Sequence, residues 1–187
     1  MKNRPNLLPV RLYGDDLLRK KLPELDFNTE GLQEFIDDLI YTMYKRDGVG
    51  LAANQVGSEW RLFVIDPDWA NSENDNKNPI VMINPVIESR SGEIVYEEGC
   101  ISLPDIFGSV KRSANISYSY TDRYGKRITE NAEQTKAVVI QHEYDHLEGI
   151  LFVDHLGTLA RLKIMHQLKR LQARAKDGQN ILEGLSL

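Results

Sequence analysis

Between Asn28 and Lys45, the apolar residues Leu32, Phe35, Ile36, Leu39, Ile40 and Met43 recur at intervals of three and four, which places them on one face of a helix. The spacing predicts an amphipathic helix with Asn28 or Thr29 as its cap, ending before Asp47-Gly48. The period then shortens. Arg61 to Ile65 reads as a strand, and Ile80 to Ile83, Val86 to Arg90, Gly92 to Tyr96, Ile116 to Tyr120 and Lys126 to Thr129 alternate or are β-branched. Turn residues at Asn84-Pro85, Ser91-Gly92 and Asp122 to Gly125 divide these runs, so the middle of the chain is expected to be antiparallel sheet. The polar, Asn-rich stretch from Asp66 to Pro79 reads as an exposed loop. Helical pattern returns from Glu133 to Glu148, where Gly149 interrupts it, and again from Thr158 to Lys176, with Leu159, Leu162, Leu168, Leu171 and Ala175 as the inward stripe.

Composition narrows the class. The 187 residues are 41% hydrophobic and 27% charged, with no repeat and no linker, so one domain over 1–187 with its own core is expected. No apolar run approaches the roughly 20 residues that cross a bilayer. The start, Met1-Lys-Asn-Arg-Pro-Asn-Leu-Leu-Pro-Val10, lacks the unbroken apolar core of a secretory signal, and a cytoplasmic protein is expected. A net charge of −5 argues against a surface that grips nucleic acid as a whole, DNA included.

Cys100 is the single cysteine and cannot form an internal disulfide; it is packing, a ligand or a nucleophile. His142-Glu-Tyr-Asp-His146 is an H-E-x-x-H sequence inside a predicted helix, and its spacing puts two imidazoles on one face, one turn apart. Glu143 stands beside that line, where a carboxylate can move a proton without being a ligand. Catalytic sites of this type use three protein ligands. A third histidine would be required where the chain has Phe152, and the only glutamate beyond Glu148 is Glu183, in a tail expected to fray. Cys100, after Glu98-Gly99, is the best remaining third ligand.

Three segments, Gly48-Val-Gly-Leu-Ala-Ala-Asn-Gln55, Glu98-Gly-Cys-Ile-Ser102 and Gln141-His-Glu-Tyr-Asp-His-Leu-Glu-Gly149, resemble in order and spacing the three motifs of the peptide deformylases. Taken alone, the first would read as a tight turn and Cys100 as a small buried apolar residue; together they point to the family. The resemblance implies an α+β fold in which antiparallel sheets wrap around the helix carrying both histidines, in agreement with the pattern above. It implies a metallohydrolase that removes the formyl group from N-formylmethionine at the start of new polypeptides. Fe(II) is the usual metal, and Zn(II) or Ni(II) substitute. It also implies that Cys100, His142 and His146 hold the metal and Glu143 transfers the proton. Gln55 and the Ile101 backbone N–H then stabilise the oxyanion, and the Gly50 backbone approaches the peptide closely because no Cβ intervenes.

Glu98 and Gln141 flank the ligands and are expected to orient them. Val138, one turn before His142, is a candidate for the methionine pocket, with ordinary core as the alternative. Many family members have an arginine shortly after Ser102-Leu-Pro104, where this chain has Asp105-Ile-Phe-Gly108; Arg112 reads better as an ion-pair partner than as a replacement. From Thr158 to Lys176 there are six basic and no acidic residues. Most such faces are merely solvated, and weak contact with ribosomal RNA is the alternative that a cotranslational role suggests.

Overall fold

A computed structural model describes residues 4–69, 76–176 and 181–182. The strands are β1 (Val10–Arg11), β2 (Gly50–Ala52), β3 (Leu62–Ile65), β4 (Ile80–Ser91), β5 (Ile94–Cys100), β6 (Leu103–Arg112), β7 (Asn115–Thr121), β8 (Arg127–Glu133) and β9 (Ile181–Leu182), and the helices are α1 (Leu32–Lys45), α2 (Gln134–Leu147) and α3 (Thr158–Lys176). One antiparallel sheet runs in the order β2-β3-β4-β7-β8, β5 and β6 form a separate hairpin, and β1 pairs with β9. The fold is α+β, as expected.

Strand alternation decides where the two principal helices sit. Leu62 and Val64 of β3 face the cluster formed by Leu32, Ile36, Leu39 and Met43 of α1. Phe63 and Ile65, pointing the other way, join Ala137, Ile140 and Leu147 of α2. The sheet is thus packed between α1 and α2. A third cluster, with Leu103, Ile106 and Val110 of β6, Phe152 and Leu156, lies on the hairpin side and receives Leu168 and Leu171 of α3. Sheet, hairpin and the segment after α2 surround that helix, whose residues Ala137 to Gln141, Glu143, His146 and Leu147 are buried.

Several local expectations change. Asn84-Pro85 is a bulge inside one continuous strand β4: Asn84 adopts φ 48°, the register shifts between Ile83 and Val86, and its side chain bonds both main-chain groups of Leu25 at 2.8 Å. Asparagine tolerates this left-handed conformation better than most residues. Gly31, not Asn28 or Thr29, occupies the capping position of α1, at φ 80° and without a side-chain cap bond. Asp66 is buried rather than exposed, accepting hydrogen bonds from Tyr44 Oη at 2.5 Å and the Asn78 N–H at 2.7 Å. In α3 the expected stripe holds only in its later part: Leu168 and Leu171 are buried, whereas Leu159 is 78% and Leu162 53% exposed. Ala175 packs close to Gly14. Glu183 lies outside the described residues.

Candidate metal centre and active site

Two elements bring the chemical groups together. α2 carries His142 and His146 with ring centroids 5.1 Å apart. It stops at Gly149 (φ 74°), whose N–H bonds the His146 carbonyl at 3.2 Å, while the Ile150 N–H bonds that of Asp145 at 2.9 Å. A Cβ on Gly149 would stand 2.5 Å from the Arg19 carbonyl oxygen, so glycine is required both for the turn and for the close approach. Cys100 closes β5, where the hairpin register shifts and Cys100 pairs with Leu103. Ligand atoms of Cys100, His142 and His146 all lie within 4.8 Å of one another.

The surroundings favour a cation at this convergence. Glu98, pointing inward from β5, accepts from His142 Nδ1 at 2.8 Å, which leaves Nε2 of that ring available to a metal. Arg112 holds Glu98 through Nε at 2.7 Å and Nη2 at 3.0 Å, and reaches Asp145 through Nη1 at 2.5 Å. Burial alone would raise the Glu98 carboxyl, but hydrogen bonds from His142 and Arg112 hold it down at about 2. Burial and the charge of His142 press His146 well below its ordinary value, which favours the neutral ring with one nitrogen lone pair available. At His142 burial also works downward, yet bonding to Cys100 and Glu98 prevails and raises it; the neighbours that attract a proton there would equally attract a metal cation. Nδ1 of His146 and Oε2 of Glu143 are buried without a hydrogen-bonding partner among the described residues. One cysteine sulfur and two imidazoles make a donor set suited to a first-row divalent metal.

Glu143 is 4% exposed, and burial pushes its carboxyl up to about 7, against the pull of His142. Gly50 lies directly against it: a Cβ there would meet Oε1 at 2.4 Å. The glycine is therefore needed first to make room for Glu143, a different reason from the peptide contact expected from sequence. Gln55, on the 3-10 turn Ala53–Val56, accepts from the Ala52 N–H at 2.8 Å and directs Nε2 to Cys100 Sγ at 3.4 Å and Ser102 Oγ at 3.1 Å. Ile101 follows in the turn between β5 and β6, its side chain against Gly48.

Comparison with known proteins identifies the family. A family model described as polypeptide deformylase matches residues 7–162. The chain belongs to the polypeptide deformylase family. It is 39% identical over 166 residues to the peptide deformylase of Wolinella succinogenes, covering 89% of this chain and 98% of that one. A crystal structure of a peptide deformylase from Legionella pneumophila superposes with a TM-score of 0.80 at 40% identity, over 90% of this chain and 99% of that one. A plant peptide deformylase structure gives 0.83 at 34% identity, over 91% and 93%. Members of this family are metal-dependent hydrolases that remove the formyl group from N-formylmethionine peptides, and this chain is such an enzyme.

Of the residues singled out for the site in this deformylase fold, Gly50, Gln55, Glu98, Cys100, Ile101, Val138, His142 and Glu143 border one cavity of about 520 Å³, and His146 brings its ligand atom within 4.8 Å of those of Cys100 and His142. Among the described residues Gln141 bonds none of the three ligands it was expected to orient. Its side chain bonds the Ser113 main chain at 3.1 and 2.9 Å and the Ala137 carbonyl at 3.0 Å, tying α2 to the β6–β7 connection. Arg112 is the ion-pair partner expected of it. Sequence reasoning missed Ser102 against Gln55, Asn54, whose Nδ2 bonds the His146 carbonyl at 2.7 Å, and His155, 2.7 Å from Asp145. Ser102 lies in the same motif as Cys100; asking what orients Gln55 would have pointed to it.

Proposed function

We propose that Cys100, His142 and His146 hold the metal of this deformylase and that Glu143 carries the proton through the reaction. The supporting observation is the convergence of the three ligand atoms beside a buried carboxylate oxygen with no hydrogen-bonding partner among the described residues. The donor set suits Fe(II), Zn(II) and Ni(II), with Fe(II) the physiological choice by family resemblance. When bound, the metal acts as a Lewis acid and lowers the pKa of water from about 15.7 toward neutrality.

The side chains supply the rest. Glu143 Oε2 accepts a proton as water adds to the formyl carbon, and returns it to the amine nitrogen as the carbon–nitrogen bond breaks and formate departs. Gln55 Nε2 and the Ile101 N–H donate to the oxygen on which negative charge develops, each such donor being worth roughly 3 to 4 kcal/mol. Gly50 lines the wall of the cavity, and Val138 contributes the apolar surface for the methionine side chain. Residues 1–187 form one catalytic domain in the cytoplasm. The basic face of α3 makes a weak, salt-sensitive contact with the ribosome.

Formate release from formyl-Met-Ala, with metal analysis of anaerobically purified protein, tests this assignment. Glu143→Gln should keep metal and lose turnover, whereas Cys100→Ala should lose metal affinity; a metal-replete, fully active Cys100→Ala enzyme would refute it. Activity that survives aeration would favour zinc or nickel over iron. Undiminished ribosome binding after Lys169, Arg170 and Arg174 are changed to glutamate would remove the ribosome contact.

A further inference from the structure

We infer that Ser102 is a positioning residue for deformylation, its hydroxyl fixing the plane of the Gln55 amide so that one N–H faces the reacting oxygen. This rests on the proposed role of Gln55 as an oxyanion donor. A carboxamide offers one oxygen acceptor and two N–H donors. In Gln55 the oxygen is fixed by the Ala52 N–H at 2.8 Å, which turns the nitrogen toward Cys100 and Ser102. The two directions from that nitrogen are unequal. Ser102 Oγ lies at 3.1 Å, an ordinary hydrogen bond. Cys100 Sγ lies at 3.4 Å and belongs to the ligand cluster, so the N–H on that side is the one next to the place where the reacting oxygen develops charge.

Ser102 itself is held. It is fully buried, and its carbonyl accepts from the Tyr13 N–H at 2.9 Å. Gln55 is 2% exposed. Bulk water therefore does not replace the hydroxyl if it is removed. The terminal torsion of glutamine is broad and weakly restrained by its own geometry. With Ser102 in place the amide plane is set by the Ala52 N–H on its oxygen and the serine oxygen on its nitrogen; without it the nitrogen keeps only the longer contact to Cys100 Sγ.

The test compares Ser102→Ala, Gln55→Ala, the double variant and Ser102→Thr, all as metal-loaded enzyme. The measurements are kcat and KM for formyl-Met-Ala, the metal-to-protein ratio, and the absorption spectrum of the Co(II)-substituted forms. Removing an oxyanion donor costs about 10²- to 10³-fold in kcat, so loosening one should cost about tenfold. Ser102→Ala is expected to show that loss with KM changed less than about twofold and with metal ratio and Co(II) spectrum unchanged. The double variant should be no slower than Gln55→Ala alone, and Ser102→Thr, which keeps the hydroxyl, should recover most of the rate. The inference is overturned if Ser102→Ala turns over normally while Gln55→Ala is slow, if the two losses multiply, or if Ser102→Ala loses metal. A normal kcat in Gln55→Ala would instead overturn the donor role of Gln55, and this inference with it.

Discussion

Gly50→Ala places one methyl group against the proton-transfer residue and leaves every metal ligand unchanged. The new Cβ would stand 2.4 Å from Glu143 Oε1 and 2.8 Å from its Cδ and Cγ, whereas ordinary contact begins at 3.4 Å. The carboxylate oxygen must therefore retreat by about 1 Å, a displacement that costs on the order of 10²-fold in a positioned catalytic group. α2 is fixed between sheet and hairpin, so the side-chain torsions of Glu143 take up the shift. Gly50 is not among the glycines at positive φ, and alanine meets no backbone penalty there. We expect kcat/KM for a formyl peptide to fall about 10²-fold, about 2.7 kcal/mol of transition-state stabilisation, with one metal per chain retained. Formate release at several substrate concentrations, with elemental analysis, reads both quantities. An alanine variant within about threefold of the parent would refute the reasoning, since the carboxylate would then tolerate a displacement it is argued not to.

Three further outcomes follow from paired charges. Glu98→Gln removes the negative partner of His142 Nδ1 and should weaken metal binding by roughly 10- to 100-fold in a chelator competition; unchanged affinity would deny Glu98 its orienting role. Arg112→Leu leaves the carboxylates of Glu98 and Asp145, with side chains 3% and 13% exposed, without their cation. Urea unfolding should show a loss of about 3 to 5 kcal/mol, and a loss below about 1 kcal/mol would mean that the ion pair is replaceable by packing alone. At Asp154, burial works upward, but hydrogen bonds from Arg19 and the Leu151 N–H prevail and depress the folded-state pKa. A depressed carboxyl contributes stability above its unfolded value and loses it as pH falls through the folded one. The stability gap between the parent and Asp154→Asn should accordingly be largest near about pH 6 and shrink toward about pH 3; a gap that widens on acidification would contradict the assignment.

The elements legible in the sequence were those whose pattern survives burial on one face. α1 shows its period because one side meets the sheet and the other meets solvent. α2 is buried nearly all round, and its boundaries emerged instead from Gly149 and the paired histidines. β6 escaped notice because Pro104, Asp105 and Gly108 interrupt its alternation and because an arginine, Arg112, occupies one of its buried positions. Its partner Glu98 comes from β5, and neither charge can be understood inside the core until the two strands are in register. The bulge at Asn84 was hidden differently: Asn-Pro has the composition of a turn, and only the hydrogen bonds to Leu25 reveal that the strand continues through it.

The site divides along the same line. The histidine pair is a local signal, since four residues span one helical turn, and Cys100 could be reached by excluding the alternatives. What supports these residues is set by side-chain direction in strands. Glu97 and Glu98 are adjacent and chemically alike, yet the first is exposed and the second is 4% exposed against His142. Gly48 and Gly50 are equally alike in sequence, but a Cβ on one would strike Ile101 and on the other Glu143. In each pair the identity of the residue is readable and its task is not, because the task belongs to whatever the fold places opposite. The substitutions that discriminate here are consequently the smallest ones: a methyl group at Gly50 changes the contact with Glu143, an uncharged amide at Glu98 changes the bonds to His142 and Arg112, and each leaves the strand that carries it intact.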